Sequence, residues 1–288
     1  MPGLLVGEVL RSAARAAPRR AAAVLDGRAL TFAELDAAAD RAAAGLAARG
    51  VRRGDRVGCL AGVSFDVLAL FAGAARAGMV FVPVAPGAAA AGIVRAARPR
   101  LLVTDAERER CAAASETRHV VLPDLMTGAP GEAPRRAPEE HDPHVVLYTG
   151  EGRPRGVVLS HRASVSRAHP GCRPEPPGVL VCGFPAGHWA MWTAVLRQWR
   201  ARGTAVLVAH PDPPALCAAV REHRAERLVC APATWQGVLG RGAAPPGHPA
   251  PRRHRDAGSR GAATAPGGDP HRDAGRPGPR LPQYARGG

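Results

Sequence analysis

Residues 30–57 read LTFAELDAAADRAAAGLAARGVRRGDRV, and this stretch decides how the first part of the chain folds. Thr31 and Glu34 have the spacing of a capping box, in which each side chain bonds the backbone of the other at a helix start. The apolar residues that follow recur at helical spacing, at Leu35, Ala39, Ala42 and Leu46. Gly50 suits the end of that helix because glycine readily adopts the left-handed conformation found there. The stretch therefore predicts a helix over 31–49 and a strand over 56–60.

The same alternation of helices and strands continues on both sides of this stretch. Upstream, Asp26-Gly27 is a hairpin-turn signal between two short apolar segments. Downstream, Ser64 suits the cap of a second helix, which precedes a strand over 79–82. A third helix over 88–97 precedes a strand over 100–104. This rhythm predicts an α/β fold with layered, mostly parallel sheets and flanking helices.

Composition divides the 288 residues into four segments. Residues 1–125 form a first predicted α/β subdomain, and residues 144–240 form a second, in which the pattern resumes. The segment between them, 126–143, is rich in Pro, Gly and charge and is predicted to be a surface linker. Residues 241–288 contain 10 Gly and 9 Pro with few large apolar groups. Such a segment cannot bury enough surface to offset its ordering entropy, so we predict a disordered tail.

The charge of the chain suggests one alternative function. There are 39 Lys and Arg positions, all of them Arg, against 24 acidic residues, which gives a formal net charge of +15. A non-catalytic basic protein could bind polyanions through such an Arg-rich tail. No RNA- or DNA-binding signature occurs, and no aromatic residues alternate with the tail arginines. The sequence therefore favours weak, sequence-independent adhesion and no specific nucleic acid.

The cysteines, histidines and hydropathy of the chain bear on its compartment. None of the six cysteines forms a CxxC pair, so we predict free thiols in a reducing, cytoplasmic compartment. No run of eighteen or more apolar residues occurs, and no membrane span is expected. The tail histidines His248, His254 and His271 have irregular spacing without nearby cysteines. No metal site is therefore predicted.

The 30–57 stretch resembles the N-terminal signature of the AMP-forming adenylating enzymes, which include acyl-CoA synthetases, peptide-synthetase adenylation domains and luciferases. A cap, an apolar helix face and a turn explain each residue locally, but they do not explain why all of them occur in this order. Residues 75–84, ARAGMVFVPV, also resemble the family, where a small-residue helix end precedes a strand and a proline. The resemblance implies the N-terminal domain of an adenylate-forming enzyme, and it covers about residues 5–240.

A second resemblance lies in residues 146–161, VLYTGEGRPRGVVLSH. In the family this region is a loop rich in Ser, Thr and Gly with a Lys, followed by Gly-Val and a Ser-His pair. Small residues let backbone N–H groups approach a polyphosphate closely, and a cation offsets its charge. The resemblance assigns nucleotide phosphates to the candidates Thr149, Gly150, Gly152, Arg153, Arg155 and Gly156.

This loop departs from the family pattern in three ways. It is two residues short, it has lost most of its hydroxyls, and Arg155 replaces the lysine. Glu151 places a negative charge where a phosphate favours a donor. A tight turn that joins two strands is therefore a competing interpretation, and no catalytic residue is assigned.

A third resemblance is the segment 184–188, FPAGH, which is similar to the family's Pro-x-x-His segment at the acyl-substrate pocket. The matched position makes His188 a candidate pocket residue. A single histidine before a helix is also common as a purely structural residue, and that interpretation stays open.

The resemblance implies an ATP- and Mg²⁺-dependent ligase that activates a carboxylic acid to an acyl-adenylate. The acyl group then passes to the thiol of coenzyme A or of a carrier protein; the sequence leaves both the acid, fatty or other, and the acceptor open. Beyond about residue 240 we find no Tyr-Gly-x-Thr-Glu motif, no ribose-binding Asp and no catalytic Lys. We therefore expect a truncated, degenerate or frameshifted form with little or no ligase activity.

Overall fold

The computed structural model describes residues 4–127, 137–149, 154–169 and 177–240. Gly150, Gly152 and Arg153 of the predicted phosphate loop lie outside these ranges, as do residues 128–136, half of the predicted linker. The predicted tail, 241–288, with its histidines and its proposed role in polyanion binding, also lies outside them.

The described residues form alternating helices and strands along the chain. The helices are α1 (Val6–Ala16), α2 (Phe32–Ala48), α3 (Phe65–Arg76), α4 (Ala90–Ala97), α5 (Glu109–Ala113), α6 (Leu122–Met126), α7 (His161–Arg167), α8 (Trp189–Ala201), α9 (Pro213–Glu222) and α10 (Pro232–Leu239). The strands are β1 (Ala21–Leu25), β2 (Arg28–Thr31), β3 (Arg56–Leu60), β4 (Val80–Pro83), β5 (Leu101–Thr104), β6 (His119–Val121), β7 (Pro143–Thr149), β8 (Arg155–Ser160), β9 (Val179–Gly183), β10 (Thr204–Leu207) and β11 (Arg227–Cys230).

Two mostly parallel sheets organise these elements, which confirms the predicted α/β fold. The first sheet has the strand order β6-β5-β3-β4-β7-β8, and only its edge strand β8 runs antiparallel to its neighbour. The second has the order β11-β9-β10-β1-β2, with the antiparallel hairpin β1–β2 at one edge.

Each predicted subdomain contributes strands to both sheets. The early strands β1 and β2 join the second sheet beside β10, and the later strands β7 and β8 join the first sheet beside β4. Each sheet therefore combines strands that precede the segment 126–143 with strands that follow it, although composition predicts that segment to be a linker. The division of the chain into two subdomains, 1–125 and 144–240, stays a prediction.

Local signals in the sequence act as expected at three places. Thr31 and Glu34 form both bonds of the capping box at the start of α2. The Ser64 hydroxyl accepts from the backbone N–H of Val67 and caps α3. Asp26 and Gly27 have positive φ angles of 50° and 72°, as a tight hairpin turn between β1 and β2 requires.

An aromatic cluster in the main core joins the layers of the fold. Phe71 of α3 stacks on Trp192 of α8 with ring centres 4.5 Å apart. Phe81 of β4 meets the same Trp192 edge-on at 5.0 Å, and Trp199 of α8 is fully buried beside them. Because α8 packs on β9 and β10, this cluster links a strand of the first sheet to the second sheet.

In the described part of the chain, no helix is long and apolar enough to cross a membrane.

Candidate functional site

The predicted phosphate loop is the tip of the hairpin formed by β7 and β8. Thr149 and Arg155 are the last paired residues of this ladder, and both side chains are exposed. Residues 150–153, between Thr149 and Pro154, lie outside the described ranges. The hairpin therefore presents one hydroxyl and one guanidinium at the base of the loop, at the carboxyl end of β7.

Gly156 has a packing role next to this loop. It pairs with Tyr148 in the ladder, and a Cβ atom at Gly156 would lie 3.0 Å from Cγ1 of Val146 and 3.2 Å from Cζ of Tyr148. The missing side chain leaves room for the tyrosine ring to lie across the hairpin. Packing thus gives a reason for glycine here that does not involve a phosphate.

His188 begins helix α8 as its N-cap residue. Its Nδ1 accepts a hydrogen bond of 3.1 Å from the backbone N–H of Ala190. The His188 ring stacks on the Phe184 ring with centres 4.5 Å apart. The centre of the Trp189 ring lies 5.6 Å from that of His188. Partial burial lowers the pKa of His188, so the ring is neutral at pH 7. Three rings therefore stand in a row at the start of α8.

The segment 184–188 lies beside the first sheet. A Cβ atom at Gly187 would be 2.4 Å from Cα of Ala85, so this segment packs directly on the chain that leaves β4. Leu147 of β7 and Trp189 line one small cavity of about 20 Å³. The predicted pocket segment thus lies at the carboxyl end of β4, and Trp189, which follows it, shares a cavity with Leu147 of β7, two residues before Thr149. Parallel sheets commonly bind ligands at such carboxyl ends.

Sequence reasoning missed two residues of this region, Trp189 and Arg167. The Arg167 guanidinium lies 5.0 Å from the centre of the Trp189 ring, which is 45% exposed. Arg167 also lines the same small cavity. A large exposed aromatic residue directly after His188 is the signal that could have found Trp189. The contact with Arg167 spans 22 positions and depends on tertiary structure.

The Ser-His pair at the end of the 146–161 stretch has a structural place. The Ser160 hydroxyl accepts from the backbone N–H of Ala163 and caps α7. The His161 ring is fully buried, accepts at Nδ1 from the backbone N–H of Val6 at 3.3 Å, and stacks on His144. In the described part of the chain, neither residue makes a hydrogen bond to the hairpin tip.

Among the described residues, no group of three or more His, Cys, Asp or Glu side chains could hold a metal ion. We therefore assign no residue to Mg²⁺ and derive no step through it.

A family model described as AMP-binding enzyme matches residues 10–272. The chain belongs to the AMP-binding enzyme family. Syringomycin synthase SyrB1 of Pseudomonas syringae is 30% identical over 245 residues, which are 79% of this chain. Long-chain-fatty-acid–CoA ligase FadD13 of Mycobacterium tuberculosis is 32% identical over 200 residues, or 57% of this chain. The inhibitor-bound N-terminal domain of FACL13 from the same organism has a TM-score of 0.74 at 25% identity and matches 81% of this chain.

The family match differs from the sequence expectation in one respect. It runs to residue 272, beyond position 240 where we expected the resemblance to end. The chain spans 38% of SyrB1, 36% of FadD13 and 64% of the FACL13 domain. The fold thus matches the N-terminal domain of adenylate-forming enzymes over part of its length.

Proposed function

We propose that this chain is the N-terminal portion of an AMP-forming acid–thiol ligase. In such a reaction the carboxylate oxygen of the acid attacks the α-phosphorus of ATP, and the bond to the β-phosphate breaks, so that pyrophosphate leaves. The acyl group then passes from the adenylate to the thiol of coenzyme A or a carrier protein. The observation that supports this proposal is that Trp189, directly after His188, and Leu147, two residues before Thr149, line one cavity in a member of this family.

The hairpin tip is the proposed site for the nucleotide phosphates. The phosphate contacts are assigned to Thr149, Gly150, Gly152, Arg153, Arg155 and Gly156. Among the described residues, the Arg155 side chain is exposed and makes no hydrogen bond or ion pair, so its donors are available to a phosphate oxygen. Gly156 contributes by leaving space for the Tyr148 ring, which a side chain at this position would crowd.

The ring row at the start of α8 is the proposed wall for the organic acid. His188 is neutral and already bonds the backbone through Nδ1, so it is suited to positioning and packing. Phe184 and Trp189 on either side offer flat apolar faces to the body of the acid. The proposed role of the protein is to hold the carboxylate against the α-phosphorus, which is mainly a matter of orientation.

We further propose that this chain is weakly active or inactive by itself. Glu151, which lies in sequence within the proposed phosphate loop, supports this proposal because its negative charge repels a phosphate.

Exchange of labelled pyrophosphate into ATP, measured with a panel of carboxylates, tests this part of the proposal. We expect exchange at the level of the enzyme-free blank, with SyrB1 as the positive control. Acid-dependent exchange well above the blank would overturn the inactive assignment.

A further inference from the structure

A second groove lies at the opposite ends of the strands of the first sheet. It has a volume of about 560 Å³ and lies where β3, β4, β5 and β7 begin. Arg56 starts β3, and the backbone N–H of Arg100, just before β5, donates to its carbonyl at 2.8 Å. Arg98 follows α4 in the left-handed conformation, with φ of 46°. Turn and strand geometry therefore bring three arginines to one wall of this groove.

These arginines carry uncompensated charge. All three side chains are exposed, and within the described residues none makes a side-chain hydrogen bond or an ion pair. The one carboxylate in the groove, that of Asp55, accepts a hydrogen bond of 2.8 Å from the backbone N–H of Arg52. Because arginine stays protonated at neutral pH, the three guanidinium groups outweigh the one carboxylate and leave the groove a formal charge of +2.

The other end of the same groove is apolar. Val80 pairs with Arg56, and Val146 pairs with Val158 across the β7–β8 hairpin. Val158 is 57% exposed although it is a large apolar residue on an edge strand. From Arg56 to Val158 the groove crosses three strand spacings, about 14 Å. It therefore runs from a cationic end to an apolar end on one face of the sheet.

We propose that this groove binds an amphipathic organic phosphate, with the phosphate on Arg56, Arg98 and Arg100. The guanidinium fork matches phosphate oxygens in pairs, and three such groups suit a dianion better than a single carboxylate. The alkyl part of the ligand lies on Val158, which is 57% exposed and gains from burial, next to the nearly buried Val80 and Val146. The site is separate from the proposed ligase cleft because it lies at the amino ends of the strands.

Calorimetric titration of the full chain with octyl phosphate, below its micellar concentration, tests this proposal. We expect binding at one site, tighter than that of inorganic phosphate or of octanol. Arg98→Gln and Arg100→Gln should each weaken binding of octyl phosphate about tenfold, since each removes a charge-assisted contact. Val158→Ser should weaken octyl phosphate several-fold and leave inorganic phosphate unchanged.

Arg41→Gln is the matched control, because Arg41 is exposed on α2 outside the groove and its loss removes the same charge. We expect it to change the affinity less than twofold. An equal effect of Arg41→Gln would show general attraction to the basic chain and overturn the proposal. Equal binding of octyl phosphate and inorganic phosphate, or tighter binding of an oligoglutamate peptide, would also overturn it. Thermal melting of each variant confirms that the fold is intact.

Discussion

Arg76 shows how much one buried residue contributes to this fold. Its side chain, at the end of α3, is 7% exposed and donates to the backbone carbonyl of Asp36 at 2.9 Å. It also pairs with the carboxylates of Asp36 and Asp40, the latter at 2.8 Å. One guanidinium therefore joins α3 to the first half of α2.

We predict that Arg76→Met destabilises the protein by about 1–3 kcal/mol, because the carbonyl and the 22% exposed carboxylate of Asp36 lose a buried, charged donor. Arg11→Met is the comparison, since Arg11 bonds the same Asp40 but is 32% exposed. Its loss should cost under about 1 kcal/mol. Urea unfolding measures both free energies, and equal losses would contradict this account of Arg76.

The stacked histidines His144 and His161 make stability depend on pH. Both rings are fully buried with centres 4.9 Å apart, and Nε2 of His144 lies 2.6 Å from the Ser164 hydroxyl. Burial lowers the pKa of His144 well below its ordinary value and that of His161 to about 4. The carboxylate of Asp142 acts in the opposite direction on His161, with a smaller effect. The folded protein thus disfavours protonation of both rings.

The two histidines should therefore not reduce the free energy of unfolding above about pH 6.5, where they are neutral in the unfolded state as well. As the pH falls from 6.5 towards 4, the unfolded state binds protons that the folded state excludes. Each histidine then lowers the free energy of unfolding by up to about 1.4 kcal/mol per pH unit. Urea unfolding at pH 7, 6 and 5 measures this slope. His161→Gln should reduce it, and an unchanged slope in that variant would contradict the prediction.

At the scale of elements, the contact between α2 and α3 depends on Gly73. A Cβ atom there would lie 2.5 Å from the carbonyl oxygen of Ala39 and 2.9 Å from the nitrogen of Ala43. Gly92 in α4 differs, because its nearest contact would be Cγ of Pro154 at 3.5 Å. The two glycines share a helical conformation but not the space around them.

Substitution by alanine should therefore act in opposite directions at these two sites. Gly73→Ala should destabilise the protein by about 1–3 kcal/mol, since the backbones of α2 and α3 must separate. Gly92→Ala should be neutral or stabilising by up to about 1 kcal/mol, because alanine favours the helix. Thermal unfolding compares the pair, and stabilisation by both would show that the helices can move apart freely.

The elements also show what could be predicted from sequence. The capping box at Thr31 and the turn at Asp26-Gly27 are local signals, and both produce the expected structure. Strand order could not be predicted, because the pairing of β1 with β10 joins residues about 180 positions apart through buried side chains. The short helices α5, α6 and α7 were missed, since five to seven residues carry too little periodicity to stand out.

The candidate site was predictable to a similar degree. Resemblance assigns candidate roles to the hairpin tip and to His188 from short runs of consecutive residues, and these roles stay predictions. The contact of Arg167 with Trp189, and the packing of Gly187 on Ala85, arise only when the two sheets come together. The burial of His161, next to the Ser160 cap of α7, likewise depends on tertiary structure. The backbone N–H of Val6 in α1, 155 positions away, donates to its ring.

At the scale of the whole molecule, the two sheets depend on each other and on both halves of the chain. The hairpin β1–β2 completes the second sheet, and the hairpin β7–β8 completes the first and carries the predicted loop. The fold and the family match show the N-terminal domain of an AMP-binding enzyme, in which we propose that the hairpin tip holds phosphates beside an acid pocket. We propose that the hairpin tip binds nucleotide phosphates and that Glu151 weakens this binding.

Titration of the protein with MgATP, followed by tryptophan fluorescence, tests this claim most directly. A like charge about 4 Å away costs roughly 1 kcal/mol in water, which is about fivefold in affinity. Glu151→Gln should therefore bind MgATP about fivefold or more tightly than the unaltered chain, and Arg155→Gln should bind it more weakly. Glu109→Gln, an exposed change on α5, should match the unaltered chain. Equal affinities of all four proteins for MgATP would contradict the account.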